Sequence, residues 1–216
     1  MIKLNSYILS DDIKDEMKNK LDKTRQDKVE LGFTLCANSD NIIRSRGNPT
    51  GTSNKIEIDP RACKGDEKFL GGYHTHPKSD SYPSAEDLIH CGIHKITCTG
   101  GIDDKIRCNA WKYTQLSSED KYKMINGYRS GYKNPKYQQT FDCISDFEPL
   151  YREEKYIKSL DDHLEELESS MAGVTVSPSI MMQRSFVKTI RDRHTSILLE
   201  GIKNKSEKYY NEVEIK

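Results

Sequence analysis

Four of the six histidines in the chain fall between His74 and His94, and two of them, His74 and His76, are separated by a single residue. If KFLGGYHTH is a strand, its alternation puts both imidazoles on one face, with Cα atoms about 7 Å apart. Two nitrogens so placed suit a zinc ion, which takes histidine nitrogen at about 2.0–2.1 Å. Pro77 ends the strand, and a short loop brings the chain to Ser84 and Asp87. These two stand three residues apart at the start of a helix and so share a face. Asp87 offers a carboxylate oxygen as a third ligand. Three protein ligands leave a fourth position for water, the arrangement of a catalytic rather than a structural zinc.

Zinc draws the pKa of such a water toward about 7. A nearby carboxylate can take its proton and pass it to a leaving amine. The Ser84 hydroxyl can hydrogen-bond the oxyanion that forms at an attacked carbonyl. Taken singly, each residue has an ordinary explanation: Ser84 as an N-cap, Asp87 as a first-turn charge on the helix dipole, a lone His-x-His as no metal site at all. Their fixed spacing joins them. The stretch itself contains no clear general base.

The elements that must position these groups follow from pattern. Ile13, Met17 and Leu21 recur every four residues among charges, one apolar stripe on a helix. KVELGFTLCAN, NIIRSR, KIEID and KFLGGYHTH read as short strands, with loops at GNPTGTSN and DPRACKGDE. PSAEDLIHCGIHK reads as a helix, with Pro83 before it, Ser84 as N-cap and Lys95 at its end. ITCTGG and KIRCNAWKYT form a hairpin around Gly-Gly-Ile-Asp-Asp. From about Leu116 the character changes. A Tyr- and Lys-rich, poorly periodic segment leads to an amphipathic helix with Leu160, Leu164 and Leu167 on one side. VTVSPS breaks it at Pro178, and a second long helix follows to the Lys-Tyr-Tyr at residues 208–210. The pattern is a mixed α/β domain over residues 1–115 and a mainly helical extension over residues 116–216.

Composition narrows the function classes. Hydrophobic residues make up 34% and charged residues 31%, lean for one compact core but above the range of disorder throughout. Lys plus Arg equals Asp plus Glu at 34 each, so no global field draws the chain to nucleic acid or an acidic membrane. No apolar run approaches the roughly eighteen residues of a membrane span, and the N-terminus has no secretory h-region. Cys36, Cys63, Cys91, Cys98, Cys108 and Cys143 show no CxxC spacing and read as reduced thiols, hence a cytoplasmic protein. Cys143 is a conceivable nucleophile, but nothing beside it in sequence lowers its pKa, and a buried thiol is the preferred reading. His90 and His94 stand i, i+4; a surface or core pair is preferred over a second zinc. The alternation of aromatic and basic residues from Tyr122 to Tyr137 is the kind used on single-stranded nucleic acid. It fits no known module, and a solvated or protein-binding segment is preferred.

His74-Thr75-His76-Pro77, the seven residues from Pro77 to Pro83, and Ser84-x-x-Asp87, led in by Gly71-x-Tyr73, resemble the JAMM motif of the JAB1/MPN/Mov34 metalloprotease family. The resemblance spans about residues 1–115. It implies an α/β (α+β) fold of the MPN, cytidine-deaminase-like type, a mixed sheet flanked by helices. It further implies one Zn2+ per chain on His74, His76 and Asp87, with Ser84 supporting the oxyanion. The family's base is a glutamate on an early strand. Glu30, two residues before Gly32, is the preferred candidate over Glu57 and Glu67. Gly72 departs from relatives that carry tryptophan there. The implied activity is that of a zinc peptidase or isopeptidase cutting after the C-terminal Gly-Gly of ubiquitin or a ubiquitin-like modifier. Processing of a sulfur-carrier-type small protein and a non-catalytic scaffold are the alternatives. Partners implied are the modifier and a second copy or complex through the C-terminal helices, with neither nucleic acid nor membrane.

Overall fold

The four-residue apolar repeat near the N-terminus folds as α1 (Asp11–Asp27), which buries Ile13, Met17 and Leu21 and ends where Lys28 turns left-handed. The structure is a computed structural model and describes residues 1–53, 55–117, 119–120, 122–124, 135–171 and 177–215. Before α1, β1 (Ile2–Leu4) and β2 (Tyr7–Leu9) pair as a small antiparallel hairpin. The main sheet contains β3 (Gly32–Ala37), β4 (Ile43–Arg46), β5 (Lys68–Thr75), β6 (Ile96–Gly100), β7 (Ile106–Trp111) and β8 (Tyr210–Ile215). Its spatial order is β4-β3-β5-β6-β7-β8, and every neighbouring pair is antiparallel except β5 and β6. The helices α2 (Ala85–Leu88), α3 (Gln138–Met171) and α4 (Pro178–Tyr209) complete the mixed α/β architecture.

Strand alternation divides the apolar residues between two cores. Ile106, Cys108 and Ala110 of β7 face one side with Phe33, Leu35, Tyr73, α1 and the N-terminal hairpin. Trp111 faces the other side, with Ala85 and Leu88 of α2, Phe147 and Ile157 of α3, and Leu198, Ile202 and Tyr209 of α4. Since Tyr73 points into the first core, His74 faces the side of the second.

Several expectations are corrected. KIEID forms no strand: Thr52 N–H bonds the Lys55 carbonyl 2.9 Å away in a tight turn, and Ile58 folds onto β5. The helix expected to reach Lys95 ends at Leu88, because the chain turns through Gly92 at φ +73°, where a left-handed backbone suits glycine. Lys95 instead donates to the carbonyls of Trp111 and Tyr113, each at 2.6 Å. Pro178 opens α4 rather than breaking a helix, sitting in its first turn after the N-cap Ser177. β8 was not expected; it adds to the β7 edge with Ile106 opposite Ile215, so the sheet takes its last strand from the C-terminal extension.

The cysteines are not thiols. Cys36 pairs with Cys63, Cys91 with Cys143, and Cys98 with Cys108, leaving none free. Cys143 is therefore no nucleophile. With the thiols goes the cysteine-based part of the argument for the cytoplasm, since disulfides persist in oxidising compartments. No helix among the described residues is long and apolar enough to cross a membrane. Most of the Tyr/Lys segment from Tyr122 to Tyr137 lies outside the described residues.

Candidate metal centre

β5 runs through the middle of the sheet, between β3 and β6, so its backbone is hydrogen-bonded on both sides. His74 stands opposite Gly32 on β3 and beside Thr99 on β6. A Cβ at position 32 would fall 2.4 Å from the Tyr73 carbonyl oxygen and 3.3 Å from His74 Cα, so the close approach of β3 to the histidine requires glycine. His76 follows the strand; its N–H bonds Gly100 O at 2.7 Å. Its ring Nδ1 lies 3.1 Å from Asp80 O, a partner that needs the proton on Nδ1 and leaves Nε2 with a free lone pair. Both histidines are buried.

The loop after His76 is pinned by Ser81. Its N–H and hydroxyl reach the two Asp103 carboxylate oxygens at 2.9 Å each, and Arg107 Nε donates to its hydroxyl at 3.0 Å. Thr99 donates to its carbonyl at 2.5 Å. The loop then delivers Ser84 as the N-cap of α2. Asp87 N–H bonds Ser84 Oγ at 3.0 Å, and the Ser84 N–H and hydroxyl reach Asp87 Oδ2 at 2.8 and 2.7 Å. This reciprocal capping box fixes the Asp87 carboxylate. In this arrangement the Ser84 proton points at the Asp87 carboxylate.

His74 Nε2 lies 3.0 Å from His76 Nε2 and 3.2 Å from Asp87 Oδ1, and His76 Nε2 lies 3.6 Å from Asp87 Oδ2. Donor atoms around a tetrahedral ion bound at ~2.0–2.1 Å stand about 3.3 Å apart. Each histidine thus faces an Asp87 oxygen at close to that separation, and one ligand atom from each of the three residues can be chosen within 4.8 Å of the other two, so the group could hold a metal ion. No other group of three His, Cys, Asp or Glu side chains converges in this way among the described residues. His90 and His94 stack on each other with ring centroids 4.7 Å apart, and Cys91 and Cys98 are taken by disulfides.

The electrostatics are those of a coupled, buried cluster. Burial would raise the Asp87 carboxyl, but His74 and His76 outweigh it and hold it well below the usual carboxylate range. Burial pulls the His76 imidazole down, yet the Asp87 carboxylate facing it leaves it raised. Glu30 lies two residues before Gly32, the partner of His74, and is only 8% exposed. Its backbone pairs with Thr52 through Glu30 N–H to Thr52 O at 2.8 Å. Burial pushes its pKa up, against the lowering charges of His74 and His76. The competing acids are elsewhere: the Glu57 side chain is 86% exposed beside Lys55, and Glu67 is held by Arg46. Of the three glutamates, only Glu30 is brought to the histidines. At Gly72, a Cβ would meet Ile58 Cγ1 at 2.7 Å; the space over that glycine is filled by the loop before β5.

Sequence reasoning missed the contribution of α3. Glu154 Oε2 accepts the Glu86 N–H at 3.1 Å, and Lys158 Nζ lies 3.3 Å from Glu86 Oε2. The Lys158 charge acts on both Glu30 and Asp87. Both residues belong to an ordinary-looking charged helix some seventy positions downstream, and no local signal marks them.

No family model matches the sequence, and no curated protein matches it. Among solved structures, the chain is similar to a JAB1/MPN domain protein from Archaeoglobus fulgidus. That match has 17% identity and a TM-score of 0.34, and covers 50% of this chain and 93% of the other.

Proposed function

We propose that the chain is a zinc-dependent amide hydrolase of JAMM type, cutting after the C-terminal Gly-Gly of ubiquitin or a ubiquitin-like modifier. The observation that carries this reading is the convergence of His74, His76 and Asp87, whose ligand atoms lie within 4.8 Å of one another, beside a buried glutamate. When bound there, zinc polarises a carbonyl and lowers the pKa of a water. His74 and His76 supply neutral nitrogen, with the His76 tautomer set by Asp80 O. Asp87 supplies carboxylate oxygen, held by Ser84.

Glu30 acts as the proton carrier. Buried beside the two histidines, it is the carboxylate that would take a proton from water and give it to a leaving amine. Ser84 supports the oxyanion by turning its hydroxyl from Asp87 Oδ2 to the carbonyl oxygen of the substrate. Residues 47–68, between the base and the histidine strand, hold the modifier's extended tail as an added strand through main-chain hydrogen bonds.

The test is a panel of Gly-Gly-tailed substrates, including ubiquitin conjugates and a sulfur-carrier-type protein, offered to the zinc-loaded wild type and to Glu30→Gln. The expected result is cleavage of at least one substrate, with Glu30→Gln retaining zinc and losing about 10²–10⁴-fold in rate. Full activity in Glu30→Gln would remove Glu30 from the mechanism. Zinc binding without cleavage of any member would favour the scaffold reading.

A further inference from the structure

The helix that presents Asp87 is four residues long. So short a helix cannot hold its own position, since its first-turn N–H groups have no partners inside it. The bonds within it are local: the reciprocal Ser84–Asp87 capping box, and the Leu88 and Ile89 N–H groups to the Ser84 and Ala85 carbonyls. Among the described residues, its main ties to the rest of the protein come from beyond residue 110. Its underside, Ala85 and Leu88, is fully buried against Trp111, Phe147, Ile157 and Tyr210. At its C-terminal end the Tyr210 hydroxyl donates to Leu88 O at 2.8 Å, and Cys91 just past it is bonded to Cys143 of α3. At its N-terminal end the Glu86 N–H goes to Glu154 Oε2 at 3.1 Å, and the Glu86 side chain reaches Lys158 Nζ at 3.3 Å.

We propose that Glu154, on α3, is a positioning residue of the metal centre: its carboxylate takes the Glu86 N–H and so fixes the turn that aims Asp87 at His74 and His76. The proposal rests on the reading of His74, His76 and Asp87 as a metal site. A carboxylate ligand must be held to within about 0.5 Å for a metal site to form well. At the N-terminal end of the ligand's helix, the Glu86 N–H next to Asp87 is bonded by a group from outside the 84–87 capping box. Ser84 fixes the Asp87 side chain relative to α2; Glu154 fixes α2 relative to the rest of the protein. The C-terminal extension is in this sense part of the site.

Two properties of Glu154 can be separated by substitution. Glu154→Gln keeps an acceptor oxygen at the same reach and removes the charge. Glu154→Asp keeps the charge and draws the oxygen back by one methylene. Glu154→Ala removes both. The full-length proteins are stripped of metal, and zinc affinity is read by competition with a chromophoric chelator, with the cobalt-substituted visible spectrum as a geometric readout. Glu154→Ala and Glu154→Asp are expected to bind zinc about 10–100-fold more weakly, the usual cost of losing an outer partner, with Glu154→Gln within about twofold of wild type. The cobalt spectrum should change in Ala and Asp and be preserved in Gln, while the metal-free Asp and Gln variants melt together. Equal zinc affinity in wild type and Glu154→Ala would overturn the positioning role. So would rescue by Asp rather than Gln, which would assign the effect to charge. Absence of zinc binding in the wild type would overturn the metal reading, and this proposal with it.

Discussion

The two halves of the candidate metal centre are built in opposite ways. His74 lies in β5, a central strand paired along both edges, and His76 just past its end is tied to β6 through Gly100 O, so both take their geometry from the sheet. Asp87 sits on a four-residue helix that owes its place to α3, to β8 and to a disulfide. One half is rigid because it is embedded in hydrogen-bonded backbone. The other is rigid only while remote parts of the chain grip it. Disturbance of the C-terminal helices should therefore reach the metal, and disturbance of the first core should not.

The largest effect comes from the ligands themselves, where the halves should be equal. His76→Ala and Asp87→Ala should each weaken zinc by more than the about 10–100-fold that losing an outer partner costs, as read by chelator competition. A Asp87→Ala protein that still binds zinc normally would leave the helix half out of the site. Next come the two cores. Phe147→Ala, under α2, should cost about 3–5 kcal/mol in denaturant unfolding and weaken zinc binding as well. Met17→Ala, in the first core, should cost about 2–5 kcal/mol and leave the zinc affinity of the folded protein unchanged.

The disulfides sharpen the same contrast. In the chain-entropy picture, replacing both Cys91 and Cys143 by serine should cost about 4 kcal/mol, against about 3 kcal/mol for Cys98 and Cys108, because the first closes a loop of 52 rather than 10 residues. Only the first pair touches the helix half, so only its loss should lower zinc affinity. The smallest effect is at Asp146, which accepts from Lys205 at 2.8 Å, Lys208 at 3.0 Å and the Tyr209 hydroxyl at 2.6 Å, where α4 passes into β8. Burial would raise its pKa, but those three partners outweigh it and hold the carboxyl well below the usual range. A depressed carboxylate stabilises the fold above its unfolded pKa of about 4 and loses that contribution as pH falls through the folded value. Asp146→Asn should accordingly cost about 1.5–3 kcal/mol at pH 7, with the gap to wild type closing as pH drops below about 4.

The same contrast decides what was legible in the sequence. The histidine half was readable because strand alternation is local: two residues apart means one face. Ser84 and Asp87 were readable for the same reason, being one helical turn apart. The length of that helix was not, since PSAEDLIHCGIHK carries good helix signals and only the tertiary ties at Cys91 and the turn at Gly92 cut it short. Glu154 and Tyr210 were invisible because they act across more than sixty residues and look like ordinary surface chemistry. The disulfide partners lie up to 52 residues apart, and nothing in their spacing distinguishes pairing from free thiols. β8 was missed because it follows a long helix without a break and is half polar, an edge strand whose register only β7 supplies. The preference for Glu30 over Glu57 and Glu67 rests on likeness to a family motif; what the sequence does not show is that Glu30 is buried with the charges of His74 and His76 acting on it.

The most direct measurement is zinc content. Wild-type protein, stripped with a chelator, reconstituted with zinc and freed of excess, is analysed beside Asp87→Ala prepared in the same way. The expected result is about one zinc per wild-type chain, the stoichiometry of a single three-ligand site, and little in the variant. A folded wild type that takes up no zinc would contradict the metal centre and, with it, the proposed hydrolase.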